Sequence, residues 1–163
     1  MIYFYSDPHF YHENIIKHQD RPFLSVDDMN NELIKRYNST IGNNDIVYIL
    51  GDIFVFRKID QGSIDKFNRI LNQLNGDKIL IRGNHDPMKL FRNLGHHFKE
   101  IVDKKIITYN ARRFELHHYP IPNTKGIVLH GHDHSNREVK TKGKFGININ
   151  LTCDLHDFYP ISA

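Results

Sequence analysis

Cysteine is almost absent from these 163 residues, with Cys153 standing alone. No intrachain disulfide can form, and a reducing compartment is the simple expectation. Long apolar runs are absent as well. None approaches the ~18 residues that a membrane-spanning helix needs, and the opening MIYFYSDPHF has neither a basic stretch nor a long apolar one. The expectation is a cytoplasmic protein with no membrane partner. Internal repeats, low-complexity tracts and linker-like segments are also missing. Residues 1–163 therefore read as one domain, long enough to bury a sizeable core. Strong charge is the last absence. A formal net charge of +3 suits an anionic substrate but is too weak to argue for nucleic acid, and the lysines and arginines do not gather in a stripe with aromatics.

Histidine, by contrast, is abundant: twelve residues, several of them close together. His9 lies near His12, His96 and His97 are adjacent, His117 and His118 are adjacent, and His130, His132 and His134 alternate. Histidine is the commonest metal ligand and the proton carrier of neutral pH.

Apolar patterning predicts strands over 2–6, 45–50, 78–83, 105–110, 112–119, 126–132 and 145–151, each short and bounded by Gly, Pro, Asn or Asp. It predicts helices near 12–18, 27–38, 60–74 and 87–94. Ser25 with Asp28 resembles a capping box, and Ile64, Phe67, Ile70, Leu71 and Leu74 make a helical stripe. The first half thus reads βαβαβα, which favours parallel strands. The second half is mostly strand with short connections at 109–111 and 123–126, which favours antiparallel pairing. A layered α/β domain follows, with two sheets face to face.

Each polar cluster comes directly after a predicted strand: Asp7-Pro8-His9, Gly51-Asp52, Gly83-Asn84-His85-Asp86, His117-His118-Tyr119 and Gly131-His132-Asp133-His134. Ligand sites in such sheets form outside the carboxyl ends of the strands, so the clusters are expected to converge at one rim. Asp7, His9, Asp52, Asn84, one of His117 and His118, His132 and His134 supply seven oxygen or nitrogen donors. These are too many for one tetrahedral ion. They suit two divalent ions of borderline hardness, Mn, Fe or Zn, with one carboxylate shared. The glycines at 51, 83 and 131 let the backbone turn tightly there.

These five blocks, in this order, resemble the signature blocks of the calcineurin-like metallophosphoesterases. The opening SDPHFYHENII resembles a compact bacterial and phage branch of that family. The tail ININLTCD resembles that branch's last strand, with Thr152-Cys153 where small or aliphatic residues are more usual, a departure expected to leave the metal site alone. The resemblance implies a four-layer αββα sandwich with two mixed sheets. It implies that Asp7, His9, Asp52 and His134 hold one ion and that Asp52, Asn84, His118 and His132 hold the other, with Asp52 bridging. It implies His85 as the proton donor to the leaving oxygen. Two such ions act as a clamp and make a bridging hydroxide that attacks phosphorus in line. The implied activity is a dinuclear, metal-dependent phosphoesterase acting on mono- or diesters, with manganese the favoured ion in vitro.

Other readings attach to single residues. Strand alternation puts Phe114, Leu116 and His118 on one face, so His118 is preferred to His117 as the ligand. His130 reads as a packed histidine. Asp86 is expected to orient His85 or to cap the helix after Pro87. His12, Arg57 and Arg137 are candidate substrate contacts, each set against a bland alternative: a helix N-terminus for His12 and a solvated face for the arginines. Arg82 also reads as a solvated residue. Two alternative functions are a non-catalytic protein-binding module on the same scaffold and a small nuclease or nucleotide pyrophosphatase. A nucleotide is a natural substrate, nucleic acid a less favoured one, and the pattern is silent on oligomeric state.

Overall fold

The computed structural model describes residues 1–56, 58–135 and 139–163. Arg57 and Arg137 lie outside the described residues.

The first sheet is built from β1 (Ile2–Tyr5), β2 (Ile46–Ile49), β3 (Asp77–Ile81), β4 (Phe98–Val102) and β10 (Ile161–Ser162). Its order is β10-β1-β2-β3-β4, parallel throughout except for β10. The second sheet contains β5 (Lys104–Tyr109), β6 (Arg112–His117), β7 (Ile127–His130), β8 (Lys140–Lys142) and β9 (Ile147–Asn150), in the order β5-β6-β7-β9-β8. The helices are α1 (Glu13–His18), α2 (Val26–Thr40), α3 (Gln61–Leu71) and α4 (Met88–Leu94).

Local chemistry sets the helix starts. The Ser25 hydroxyl accepts from Asp28 N–H at 3.1 Å, and the Asp28 carboxylate accepts from Leu24 N–H at 3.0 Å. Asp60 caps α3 by accepting from Ser63 N–H at 3.0 Å. Strand alternation then sorts the core in two. Tyr3, Tyr5, Val47, Ile49 and Leu80 pack with Ile15 of α1, Leu33 and Tyr37 of α2, Phe67 of α3 and Leu90 of α4. Phe4, Tyr48, Leu50 and Ile81 meet Leu116, Leu129 and Leu151 of the second sheet. Strands buried on both faces read as unbroken apolar runs, as IYFY and IVYI do.

The α/β class and the two mixed sheets stand as expected. All four helices pack into the core on one side of the first sheet. Over the outer face of the second sheet lie loops: Ile121 N–H donates to Asn148 Oδ1 at 2.9 Å, and Asn150 Nδ2 donates to the Asp133 carbonyl at 2.8 Å.

The second half differs from its expected pairing. The turn at 109–111 does join antiparallel β5 and β6. However, β6 and β7 run parallel, and so do β7 and β9. Residues 118–126 are a crossover returning along the sheet, not a hairpin. Parallel pairing puts the ends of β6 and β7, and the histidines that follow them, at the same rim.

Candidate metal centre

Because β1, β2, β3, β6 and β7 all point the same way within their sheets, the five polar loops meet. Four of the expected ligands have left-handed backbones: Asp7 (φ 56°), His9 (53°), Asp52 (52°) and His132 (68°). For non-glycine residues this conformation costs of order 1–3 kcal/mol each, and such strain clusters at functional sites. Backbone bonds between loops hold it: Asp7 N–H donates to the Gly51 carbonyl at 3.1 Å and His9 N–H to the Asp52 carbonyl at 3.2 Å. The approach is close enough to require glycine. A Cβ on Gly131 would sit 1.9 Å from Ser6 Oγ and 2.1 Å from Asp7 Oδ2, and one on Gly51 (φ 99°) would sit 2.5 Å from His118 Nδ1.

Two groups of donors form. Asp7, His9 and His134 make one, and Asp52, His118 and His132 the other, with the ligand atoms of each group within 4.8 Å of one another. In the first, Asp7 Oδ2 accepts from Ser6 Oγ at 2.5 Å and His132 N–H at 2.9 Å. Asp7 Oδ1 is buried and has no hydrogen-bond partner among the described residues. It faces His9 Nε2 at 3.8 Å and His134 Nε2 at 3.7 Å, while those two nitrogens lie 3.2 Å apart. The His134 Nδ1 is 2.9 Å from the Asp154 carboxylate, which selects the tautomer with a bare Nε2. A carboxylate oxygen without a hydrogen-bond partner among the described residues and two ring nitrogens thus converge, an arrangement that fits a cation.

The second group shows the same chemistry. His118 Nδ1 bonds the Leu50 carbonyl at 2.7 Å, leaving Nε2 to face Asn84 Oδ1 at 3.1 Å and Asp52 Oδ2 at 3.4 Å. Burial opposes charge on His118, but the Asp52 hydrogen bond and the charges of Asp7 and Asp52 outweigh it and push the imidazole up to about 9. In a metal-free protein a proton answers these oxygens; a cation would displace it. Asp52 Oδ1 is taken by His85 N–H at 2.8 Å, while Oδ2 is also 3.8 Å from His9 Nε2. One Asp52 oxygen therefore stands between the two groups. Burial acts to raise the Asp52 carboxyl, yet the His118 hydrogen bond and charge and the His85 N–H leave it below its ordinary value. Burial raises Asp7, and burial together with the His134 charge holds His9 well below the usual imidazole value.

The remaining expected residues divide. Asn84 is exposed at the rim beside His118. His85 is half-buried, its ring 5.5 Å from that of His9. His12 Nδ1 lies 3.3 Å from His9 Nδ1, so His12 touches the site through a ligand. His118 points inward, whereas His117 Nδ1 turns to the backbone of Tyr119. His130 is buried and bonds the Gly131 carbonyl at 2.7 Å. Arg82 pairs with Asp103. Asp86 neither caps α4 nor contacts His85. It is buried and accepts from the N–H groups of Asp52 (2.6 Å), Gly83 (2.9 Å) and Ile53 (3.2 Å), tying two ligand loops together. Burial first and the Asp52 charge second push its carboxyl up to about 7.

Five contributors lie outside the expected set. Asp154 grips His134 and is itself gripped by the buried Arg21, from Nε at 2.7 Å and from an Nη at 2.8 Å. Burial opposes its charge, but the hydrogen bonds of His134 and Arg21 bring it down to about 2. Arg21 also donates to the carbonyls of Asp7 and Pro8, both at 2.9 Å. Thr152 and Cys153 do not leave the site alone: Thr152 Oγ1 is 3.4 Å from Asp7 Oδ2, and Cys153 Sγ bonds the Asp7 carbonyl at 3.2 Å. Tyr119 packs its ring on His118 and His132 and donates to Asn84 Oδ1 at 3.3 Å. Its place in the His-Tyr-Pro block was the one signal in the sequence; Arg21 and Asp154 are lone residues far apart in the chain.

Two relatives match this chain over nearly its whole length. The uncharacterized protein MJ1445 of Methanocaldococcus jannaschii is 36% identical over 170 residues, covering 99% of this chain and 86% of its own. The crystal structure of AQ665 from Aquifex aeolicus, a protein of unknown function, is similar at 31% identity with a TM-score of 0.76, covering 99% of this chain and 94% of its own. Residues 1–157 match the calcineurin-like phosphoesterases. With that match over almost its whole length, and with two groups of metal-ligating side chains at one rim, the chain belongs to the calcineurin-like phosphoesterase family and is a metal-dependent phosphoesterase.

Proposed function

We propose that the protein hydrolyses phosphate mono- or diesters at a dinuclear centre, the 163 residues acting as one catalytic domain. Asp7, His9, Asp52 and His134 would hold one ion, and Asp52, Asn84, His118 and His132 the other, with Asp52 common to both. Manganese is the favoured ion in vitro. The observation that carries this reading is the buried Asp7 Oδ1, which lacks a partner among the described residues and faces the Nε2 atoms of His9 and His134. When bound, two divalent cations supply an acidified water and neutralise charge developing on the phosphoryl oxygens.

The chain's own groups do the rest. Asn84 adds a neutral oxygen, so the donor set carries only two carboxylates. Asp86 fixes the loops of Asp52 and Gly83 against each other, which keeps Asp52 and Asn84 in register. His85 is beside His9, half open to solvent, and among the described residues its ring accepts and donates no hydrogen bond. In this reading His85 donates its proton to the departing alkoxide, a role typically contributing about 10²–10⁴-fold.

The test is His85→Ala at full manganese occupancy. An alkyl phosphoester, whose leaving oxygen needs the proton, should lose about 10²–10⁴-fold in kcat. An activated aryl ester, whose leaving group departs unaided, should lose far less. An alkyl ester hydrolysed at the wild-type rate would remove His85 from the mechanism.

A further inference from the structure

The loops after β1 and β2 continue past their ligands. Beyond His9 the chain runs through Phe10, Tyr11 and His12; beyond Asp52 it runs through Phe54 and Phe56. The two runs are locked side by side, with Phe10 N–H donating to the Ile53 carbonyl at 2.8 Å and Val55 N–H to the Phe10 carbonyl at 3.3 Å. Against them and α3 opens a cavity of about 680 Å³. His12 lines it and also lies 3.3 Å from His9, so the cavity begins one side chain away from the first donor group.

Three rings shape it. Phe67 is fully buried and stacks on Phe54 at 4.1 Å, which makes it a rigid floor. Phe56 and Tyr11 rise from that floor with centroids 5.6 and 6.1 Å from Phe67, tilted by 56° and 44°. Both are only partly buried. Tyr11 is held in place: its hydroxyl bonds the Lys66 carbonyl at 3.3 Å, and its backbone is left-handed (φ 64°), like those of Asp7 and His9 in the same loop. Strain of this kind clusters at ligand-binding sites.

Among the described residues the charges on the lining balance, Lys58 and Lys66 against Glu13 and Asp60, and favour no second anionic group. The cavity suits a neutral, flat-ringed group with hydrogen-bonding hydroxyls, since aromatic walls stack any base and a cavity of this size holds a small molecule of nucleoside dimensions. A lipid chain would need an apolar lining, and this one is half polar. Resting on the phosphoesterase reading, we infer that the cavity binds the nucleoside half of a nucleotide ester, with the base on Tyr11 and Phe56 and the phosphate at the rim beside His9.

The test is steady-state kinetics of the manganese-loaded full chain on two ester pairs: adenosine monophosphate and its methyl diester, and glycerol phosphate and its methyl diester. The expected result is a preference in kcat/KM of at least about tenfold for the adenosine esters, near the lower end of what one base–aromatic stack contributes. Phe56→Leu keeps the apolar bulk but removes the flat face, and should abolish most of that preference. Phe56→Tyr should restore it. Equal use of both pairs by the wild type, or an unchanged preference in Phe56→Leu, would overturn the nucleoside site and leave the phosphoesterase reading intact. No turnover of any ester with both ions bound would overturn the phosphoesterase reading instead. Calorimetric titration with adenosine monophosphate would then decide the cavity by itself: binding lost in Phe56→Leu supports it, and no binding to the wild type refutes it.

Discussion

The two donor groups lie on either side of Asp52 but are built differently. In the first, the side chains of Asp7, His9 and His134 are 0%, 5% and 13% exposed. They are braced from behind by charge, His134 by Asp154 and Asp154 by Arg21. In the second, His118 is buried, but His132 and Asn84 are exposed, and the bracing comes from a backbone carbonyl and the Tyr119 ring. A closed, charge-braced half can hold an ion tightly. A half open to solvent leaves room for a ligand to reach the ion beside it. One site thus separates retention from access.

Mutation can break this comparison at three depths. The largest effect is expected from Asp52→Ala, which removes the carboxylate proposed to serve both halves. Metal content by mass spectrometry should fall below two ions per chain, and kcat/KM should drop by more than about 100-fold, beyond the range seen for residues that only support ligands. Asp154→Ala should divide the halves. It releases His134 and leaves Arg21 unpaired, so calorimetry should show one of two binding phases weakened by about 10–100-fold and the other unmoved. Because a stranded buried charge costs about 3–5 kcal/mol, Asp154→Asn serves as the milder variant and should shift the same phase in the same direction. Both phases weakening together would mean that Asp154 supports the fold rather than one half of the site. The smallest effect is expected from Tyr119→Phe. It removes a single solvent-accessible hydrogen bond to Asn84 and should weaken only the second phase, by about two- to tenfold.

How far the sequence reaches can be judged from particular residues. Period-two alternation selected His118 over His117, because the alternation of β6, which buries Leu116 against the first sheet, carries one residue past the strand and buries His118 as well. The same local pattern misassigned the pairing of β6 with β7. Antiparallel pairing was inferred from a connection that looked short, although residues 118–126 return along the sheet in an extended loop. Requiring the histidines after both strands to share one rim would have forced the parallel solution. β4 was missed because it is an edge strand with Lys99 and Glu100 inside a five-residue run, so its apolar signal is weak. β8 and β10 are only three and two residues long. Arg21 and Asp154 were invisible, and Thr152 and Cys153 were noticed but judged remote from the site, for another reason. Their importance comes from contacts across more than 100 residues of chain, and neither a motif nor a period encodes them. Asp86 sat in a recognised block yet acts through three backbone N–H groups, a role that only the folded loops define.

The shared oxygen of Asp52 is the feature on which the two-ion reading turns, and diffraction from manganese-soaked crystals at the metal's absorption edge tests it directly. The expected result is two anomalous peaks per chain, one bounded by Asp7, His9 and His134, the other by Asn84, His118 and His132, with Asp52 in contact with both. A single peak held by four side chains and closed to solvent, or two peaks with Asp52 touching neither, would contradict it.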